Sequence, residues 1–141
     1  MPSLRIEIVT PESILFSGEA IALVARSTVG DFTVLAGHTA TVGDIVPSVL
    51  RVQSSAGESS FAVHGGYFQV SSPEVGATLA TVLAGVAEDV ANIDVARAQA
   101  AKERAEADLA ASGEDHAAHR AAQDALRRAD LRLRAAAPAR R

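Results

Sequence analysis

The sequence predicts a β + α protein, an N-terminal antiparallel β-sandwich followed by a C-terminal antiparallel two-helix hairpin, on three observations. Before Glu88 the chain consists of short runs rich in Val, Ile, Leu, Phe and Thr, separated by Gly, Ser and Pro. After Glu88, alanine, arginine and acids take over and β-branched residues nearly vanish, a switch from strand to helix composition. The aromatics Phe16, Phe32, Phe61, Tyr67 and Phe68 all precede that switch, so the substantial core belongs to the first part. The expected boundaries are 1–87 for the sandwich, 88–94 for a linker and 95–141 for the hairpin with a basic tail.

Leu4-Arg5-Ile6-Glu7-Ile8 alternates apolar and charged residues with the period of a strand buried on one face. Further strands are expected at Ile14–Phe16, Ala20–Arg26, Asp31–Leu35, Thr41–Val46, Val49–Gln53, Ser60–His64, Tyr67–Ser71 and Ala77–Val86. Runs spaced about 8–12 residues apart suit an antiparallel sandwich or barrel. Gly57 marks a turn within Ser54–Ser59, Pro73-Glu74-Val75-Gly76 marks another, and Gly65-Gly66 reads as a two-residue hairpin loop. Pro11 and Pro47 fall between runs, where a missing N–H does no harm. Ile21-Ala22-Leu23-Val24 is apolar on both faces, which requires cover on both sides, from a closed sandwich or from a partner.

In the second part Asp94 can cap a helix running over about 95–111, which ends at Ser112-Gly113, where glycine suits the left-handed position. A second helix is expected over about 115–136, with acids at its start and arginines toward its end, as the helix dipole prefers. Asp124 and Arg128, and Asp130 and Arg134, stand four apart and can pair. The short loop makes the helices an antiparallel hairpin. Its apolar stripes are mostly alanine, and a CH₂-sized group contributes only ~0.8 kcal/mol on burial. Such helices form readily and attach loosely, as suits an arm that docks and undocks.

The 141 residues include no cysteine, which excludes disulfides, thiolate zinc sites and cysteine nucleophiles. No apolar run approaches the ~20 residues that cross a bilayer, and Met1–Arg5 lacks the apolar stretch of a signal peptide. A soluble, cytoplasmic chain is expected, with any membrane link made through a partner. The formal net charge of −4 hides a cationic end: residues 120–141 carry seven arginines against Asp124 and Asp130.

Four segments then resemble one family. Leu4–Val9 with Pro11-Glu12 and Phe16-Ser17-Gly18 is similar to the first strand and turn of the epsilon subunits of F-type ATP synthases. Gly30-Asp31-Phe32-Thr33-Val34-Leu35-Ala36-Gly37-His38 resembles their signature loop, with Ala36 in place of the usual proline. His64-Gly65-Gly66-Tyr67-Phe68-Gln69-Val70 resembles their Gly-Gly-aromatic segment, and Glu88–Ala98 the entry to their C-terminal hairpin. The resemblance implies a non-catalytic subunit of the central stalk. Its sandwich would bind the gamma subunit and the membrane rotor ring. Its hairpin would fold back, or extend into the alpha/beta catalytic head and inhibit ATP hydrolysis. The chain would sit peripherally on the cytoplasmic side of the cell membrane.

The resemblance also implies candidate residues, each with a plainer reading beside it. Asp31 and His38 are candidates for the rotor-ring contact; His38 equally suits a histidine that fixes its own turn. Ile93, Asp94, Arg97 and Ala98 match an Ile-Asp-x-x-Arg-Ala motif that binds regulatory ATP in some members, with Glu88 at a further motif position and Arg128 and Arg132 facing the phosphates from the second helix. No cofactor is otherwise required. The plainer reading makes Asp94 a helix cap and leaves the arginines solvated or set against an acidic surface. His116 and His119 stand three apart beside Asp115, too few ligands for a metal site. Nucleic acid is disfavoured, because the chain is acidic and no aromatic accompanies the arginines. Two rival functions are a generic sandwich adaptor of another complex and an enzyme built on His38 or His64 with Asp31 or Asp44; the latter lacks an activated nucleophile and a phosphate loop.

Overall fold

The structure is a computed structural model that describes residues 2–137; Arg140 and Arg141 of the expected basic tail lie outside the described residues. The chain forms two compact units that divide between Asp89 and Val90.

The first unit holds β1 (Ser3–Val9), β2 (Ile14–Ala20), β3 (Ala22–Ser27), β4 (Gly30–Leu35), β5 (Thr41–Ile45), β6 (Ser48–Ser54), β7 (Gly57–Val63), β8 (Gly66–Ser71), β9 (Ala77–Ala84) and β10 (Ala87–Asp89). They form two five-stranded sheets, ordered β2-β1-β9-β8-β5 and β10-β7-β6-β3-β4. This is the expected sandwich, with one pairing that differs from the antiparallel pattern: β1 and β9 run parallel. The unit also extends past residue 87. Ala87, Glu88 and Asp89 pair with Val63, Ala62 and Phe61, so Glu88 is a strand residue rather than part of a linker.

Alternation places the core. Leu4, Ile6 and Ile8 of β1 point inward, against Leu23 and Ala25 of β3, Leu50 and Val52 of β6, Phe61 and Val63 of β7, and Ala80 and Val82 of β9. Phe61 meets Phe16 edge to face at 6.2 Å between ring centroids. Phe32 of the edge strand β4 stacks on Phe68 of the other sheet at 4.4 Å, and the Phe68 ring lies where a side chain at Gly43 would be, 2.6 Å from a Cβ built there.

Gly65-Gly66 is not the expected hairpin turn, because β7 and β8 belong to different sheets and the pair carries the chain across the sandwich. Gly65 has φ +98°, a left-handed conformation suited to glycine. At Gly66 a Cβ would fall on the Leu83 carbonyl oxygen. Gly65 thus answers to the backbone turn, and Gly66 to the close approach of β9, its neighbour in the sheet.

The second unit begins with one 3₁₀ turn, Val90–Asn92, then α1 (Val95–Ala111) and α2 (His116–Ala136). Asp94 caps α1 through Arg97 N–H at 3.0 Å, and Asp115 caps α2 through Ala118 N–H at 3.1 Å. Gly113 takes φ +52° in the bend, the left-handed position expected of it. The buried alanines repeat at seven residues on both helices, Ala98 and Ala105 on α1 and Ala122 and Ala129 on α2, a spacing that returns within ~20° to one face. The acids pair differently from expectation. Asp124 meets Arg127 at 3.5 Å, and Asp130 reaches across the hairpin to Lys102 at 3.2 Å. The cross-helix partner was hidden because the register of α2 against α1 is a tertiary property.

Gly66→Ala is expected to lower the unfolding free energy by ~1–3 kcal/mol, the usual penalty of overpacking. Gly85→Ala, whose added Cβ meets nothing within 4 Å, is expected to change it by less than ~0.5 kcal/mol. Guanidinium melts of the two variants check the contrast.

Candidate functional site

Asp31 and His38 stand at opposite ends of β4. Gly30 and Asp31 pair with Ser27 and Arg26 at one end, Leu35 pairs with Ala22 at the other, and His38 lies beyond Leu35. Four residue steps at ~3.3 Å each separate Asp31 from Leu35 alone, so a flat surface at one end of the sandwich touches only one of the two.

At the Asp31 end the turn is braced by polar contacts. Arg26 Nε donates to Asp31 Oδ1 at 2.6 Å, and Thr28 Oγ1 donates to Asp44 Oδ2 at 2.6 Å. The hydrogen bond from Arg26 holds the Asp31 carboxyl below its ordinary range, and the Thr28 hydroxyl does the same for Asp44. The turn tip, Val29, is 97% exposed. At the other end His38 Nδ1–H donates to the Thr39 carbonyl at 2.8 Å and the His38 N–H donates to Leu35 O at 3.1 Å. One ring nitrogen therefore serves its own turn, as the plainer reading of His38 requires.

The sheet register reveals a surface that the sequence did not single out. Ile14 pairs with Val9, Val9 with Leu83, Leu83 with Tyr67 and Tyr67 with Asp44, so these residues form one row on the outer face of the first sheet. Ile14, Leu83 and Tyr67 are each more than half exposed. The neighbouring row, Ser17, Glu7, Thr81, Gln69 and Val42, is mostly polar. A shallow cleft of about 350 Å³, lined by Val9, Thr10, Pro11, Leu83, Ala84 and Gly85, opens along the apolar row. An exposed apolar row bordered by polar residues is the usual mark of a protein contact. The strand that the sequence marked as apolar on both faces, Ile21–Val24, falls in the other sheet, so nothing in the sequence pattern pointed to this row.

The nucleotide candidates are divided between the units. Glu88 lies in β10, its Oε1 3.8 Å from Nε2 of the buried His64. In the second unit the Asp94 carboxylate accepts the Arg97 N–H, Ile93 N–H donates to Val90 O at 3.2 Å, and Ala98 is buried. Arg97 is exposed at the first turn of α1. Given the Lys102–Asp130 tie, helix rise places Arg132 within about one turn of the level of Arg97, and Arg128 about two turns away. A cleft of about 390 Å³ on the hairpin, lined by Lys102, Asp130, Leu133, Arg134 and Ala137, includes none of these candidates. Arg120, Arg127 and Arg134 are exposed and seven residues apart, which makes a basic stripe ~21 Å long on α2. His119 is bound to Ser112, and among the described residues no group of three metal donors occurs.

Residues 3–90 match the family model for the beta-sandwich domain of the ATP synthase delta/epsilon chain, and residues 91–137 match the model for its long alpha-helix domain. The chain belongs to the ATP synthase delta/epsilon family. It is 39% identical over 132 residues to the ATP synthase epsilon chain of Desulforamulus reducens, covering 94% of this chain and 96% of that one. It is 37% identical over 138 residues to the epsilon chain of Lacticaseibacillus casei, covering 94% and 88%. A chain in the structure of the Euglena gracilis mitochondrial ATP synthase OSCP/F1/c-ring shares the fold with TM-score 0.77 at 21% identity, over 93% of this chain and 79% of that one. A chain in the central stalk/c-ring structure of the Tetrahymena thermophila mitochondrial ATP synthase gives TM-score 0.54 at 14% identity, over 95% and 96%. Among the described residues of this delta/epsilon chain no helix is long and apolar enough to cross a membrane.

The carboxyls of Asp31 and Asp44 are expected to titrate below the ordinary carboxylate range. The stabilisation they give the turn is therefore present at neutral pH and lost as pH falls through those lowered values. Carboxyl-detected NMR titration should return Asp31 toward the ordinary range in Arg26→Gln and leave Asp44 low, and do the converse in Thr28→Val. Asp94→Ala is expected to cost about 1 kcal/mol of helix stability and Asp94→Asn much less, measured by helix circular dichroism on heating.

Proposed function

We propose that this chain is a non-catalytic central-stalk rotor subunit of a proton-translocating F-type ATP synthase, peripheral on the cytoplasmic side of the cell membrane, with its hairpin a reversible inhibitor of ATP hydrolysis. The observation that carries the reading is the contrast between the units. The first has a densely packed core and an outer apolar row; the second has an alanine seam and an exposed arginine stripe.

In this reading the row Ile14, Leu83 and Tyr67 receives the gamma subunit, because apolar contact suits a lasting attachment. The braced turn holding Asp31, with Val29 at its tip, meets the rotor ring. His38, at the other end, holds its loop. Arg120, Arg127 and Arg134 meet acidic surface on the alpha/beta head, and salt weakens that contact. ATP is proposed as a regulatory ligand of Asp94, Arg97 and Arg132 in the second unit, with Arg128 contributing less directly; Glu88, a strand residue of the first unit, is left out of this site. Since the Asp94 carboxylate already caps α1, nucleotide contact uses its second oxygen or gives up the cap. No nucleic acid takes part.

Removing residues from 90 onward is expected to leave the chain in the complex and to raise ATP hydrolysis; unchanged hydrolysis counts against the inhibitory arm. Tyr67→Asp combined with Leu83→Asp is expected to weaken retention of gamma by at least tenfold, measured by co-purification, while the melting midpoint of the chain stays unchanged. Calorimetric titration of the full chain with ATP tests the regulatory site, and no heat at millimolar nucleotide removes it.

A further inference from the structure

The bend between α1 and α2 is held by a closed set of hydrogen bonds. Ser112 Oγ donates to the Leu109 carbonyl at 2.8 Å, and its lone pair accepts from His119 Nδ1 at 3.1 Å. Ser112 O accepts the Asp115 N–H at 2.9 Å, and Asp115 O accepts the His119 N–H at 2.9 Å. Gly113 sits between them with φ +52°.

Two of these features distinguish a bent arm from a straight one. Seven residues along one continuous helix span ~10.5 Å, so Ser112 Oγ and His119 Nδ1 can meet only when the chain is bent. Gly113 passes between left- and right-handed conformations at little energetic penalty, which any residue with a Cβ would resist. The Ser112 bond to Leu109, by contrast, spans three residues and persists in a continuous helix. No proline lies between Pro73 and Pro138, so residues 95–136 are free to join in one helix roughly 63 Å long. Of the buried seam residues among those described, Ala98, Ala105, Ala122 and Ala129 are alanine and only Leu131 is large, so one polar tie counts for more here than in an ordinary core.

We infer that Ser112 and His119 form a latch at the elbow of the arm, with Gly113 as the hinge, and that this side-chain bond sets the balance between bent and straight forms. The inference rests on the reading of the hairpin as an arm that changes shape. The Lys102–Asp130 pair is a second tie made only in the bent form.

The chain lacks cysteine, so spin labels attach only where cysteines are introduced. Ala100→Cys with Ala121→Cys places two labels on exposed positions, ~32 Å apart in a continuous helix and much closer in the hairpin. Pulsed electron resonance on the full chain then reads both populations. Ser112→Ala and His119→Ala are each expected to lower the bent-to-straight ratio about fivefold, the equivalent of one hydrogen bond. The double variant should fall no further than either single one, and His116→Ala, whose ring makes no such tie, should leave the ratio unchanged. Unchanged ratios in the single variants, or additive effects in the double, overturn the latch. If the unaltered chain shows only the short distance, with or without the catalytic head, the moving-arm reading fails. The same cycle is then read from thermal loss of the short distance, where additive effects again overturn the latch.

Discussion

The parallel pairing of β1 with β9 is the constraint on which the first unit depends. It sets Ile6 beside Ala80 and Ile8 beside Val82 within the core, and Val9 beside Leu83 on the outer face. A slip of one residue would exchange the faces, exposing the isoleucines and burying Arg5 and Glu7. The pairing joins strands more than seventy residues apart in the chain, so it forms only after a long loop has closed. Once β9 and β10 are in place both sheets are complete, and Asp89 ends the unit. The sandwich therefore has its whole core without any residue of the hairpin, as the proposed division of labour between the units requires.

The two units differ in adhesion for a reason visible in side-chain size. Each fully buried Leu, Ile, Val or Phe of the sandwich contributes roughly 1.5–3 kcal/mol, and the core contains Leu4, Ile6, Ile8, Leu23, Leu50 and Phe61 among others. The repeating buried positions of the hairpin, Ala98, Ala105, Ala122 and Ala129, contribute about a methyl group each, and Leu131 is the one large side chain fully buried there among the described residues. High intrinsic helix propensity keeps the segments helical whether or not the seam is closed. Secondary structure and tertiary contact are thus uncoupled in the arm and coupled in the sandwich, where no strand is stable alone.

What could be read from the sequence follows the range of the interaction responsible. The helices, the cap at Asp94 and the left-handed Gly113 depend on residues a few positions apart, and all were legible, whereas Asp115, expected as the first residue of the second helix, is its cap. So was the alternation of Leu4, Ile6 and Ile8. The meaning of Gly65-Gly66 was not, since a two-glycine loop looks the same whether it turns within a sheet or crosses between sheets. The parallel β1–β9 pair, the Lys102–Asp130 tie and the row from Ile14 to Tyr67 are consequences of register between distant segments. The family resemblance carried identity well and geometry poorly: it named Asp31 and His38 together, although β4 holds them at opposite ends.

Under the proposed function, the arginine stripe would let a weakly seamed arm act at a distance. An apolar arm strong enough to hold the catalytic head would also be strong enough to collapse irreversibly onto some other surface. Charge avoids that, because exposed ion pairs contribute only ~0.2–1 kcal/mol each and are screened beyond about 8–10 Å at physiological salt. Arg120, Arg127 and Arg134 stand about 10 Å apart along α2, near that screening length, so in the proposed docking each would engage its own partner and their contributions would add. Three such contacts together would offset the elbow hydrogen bond and part of the seam, whose largest single contribution is Leu131. If the hairpin acts as proposed, docking and folding back would differ by a few contacts only, and small changes at the bend or in ionic strength would shift the arm.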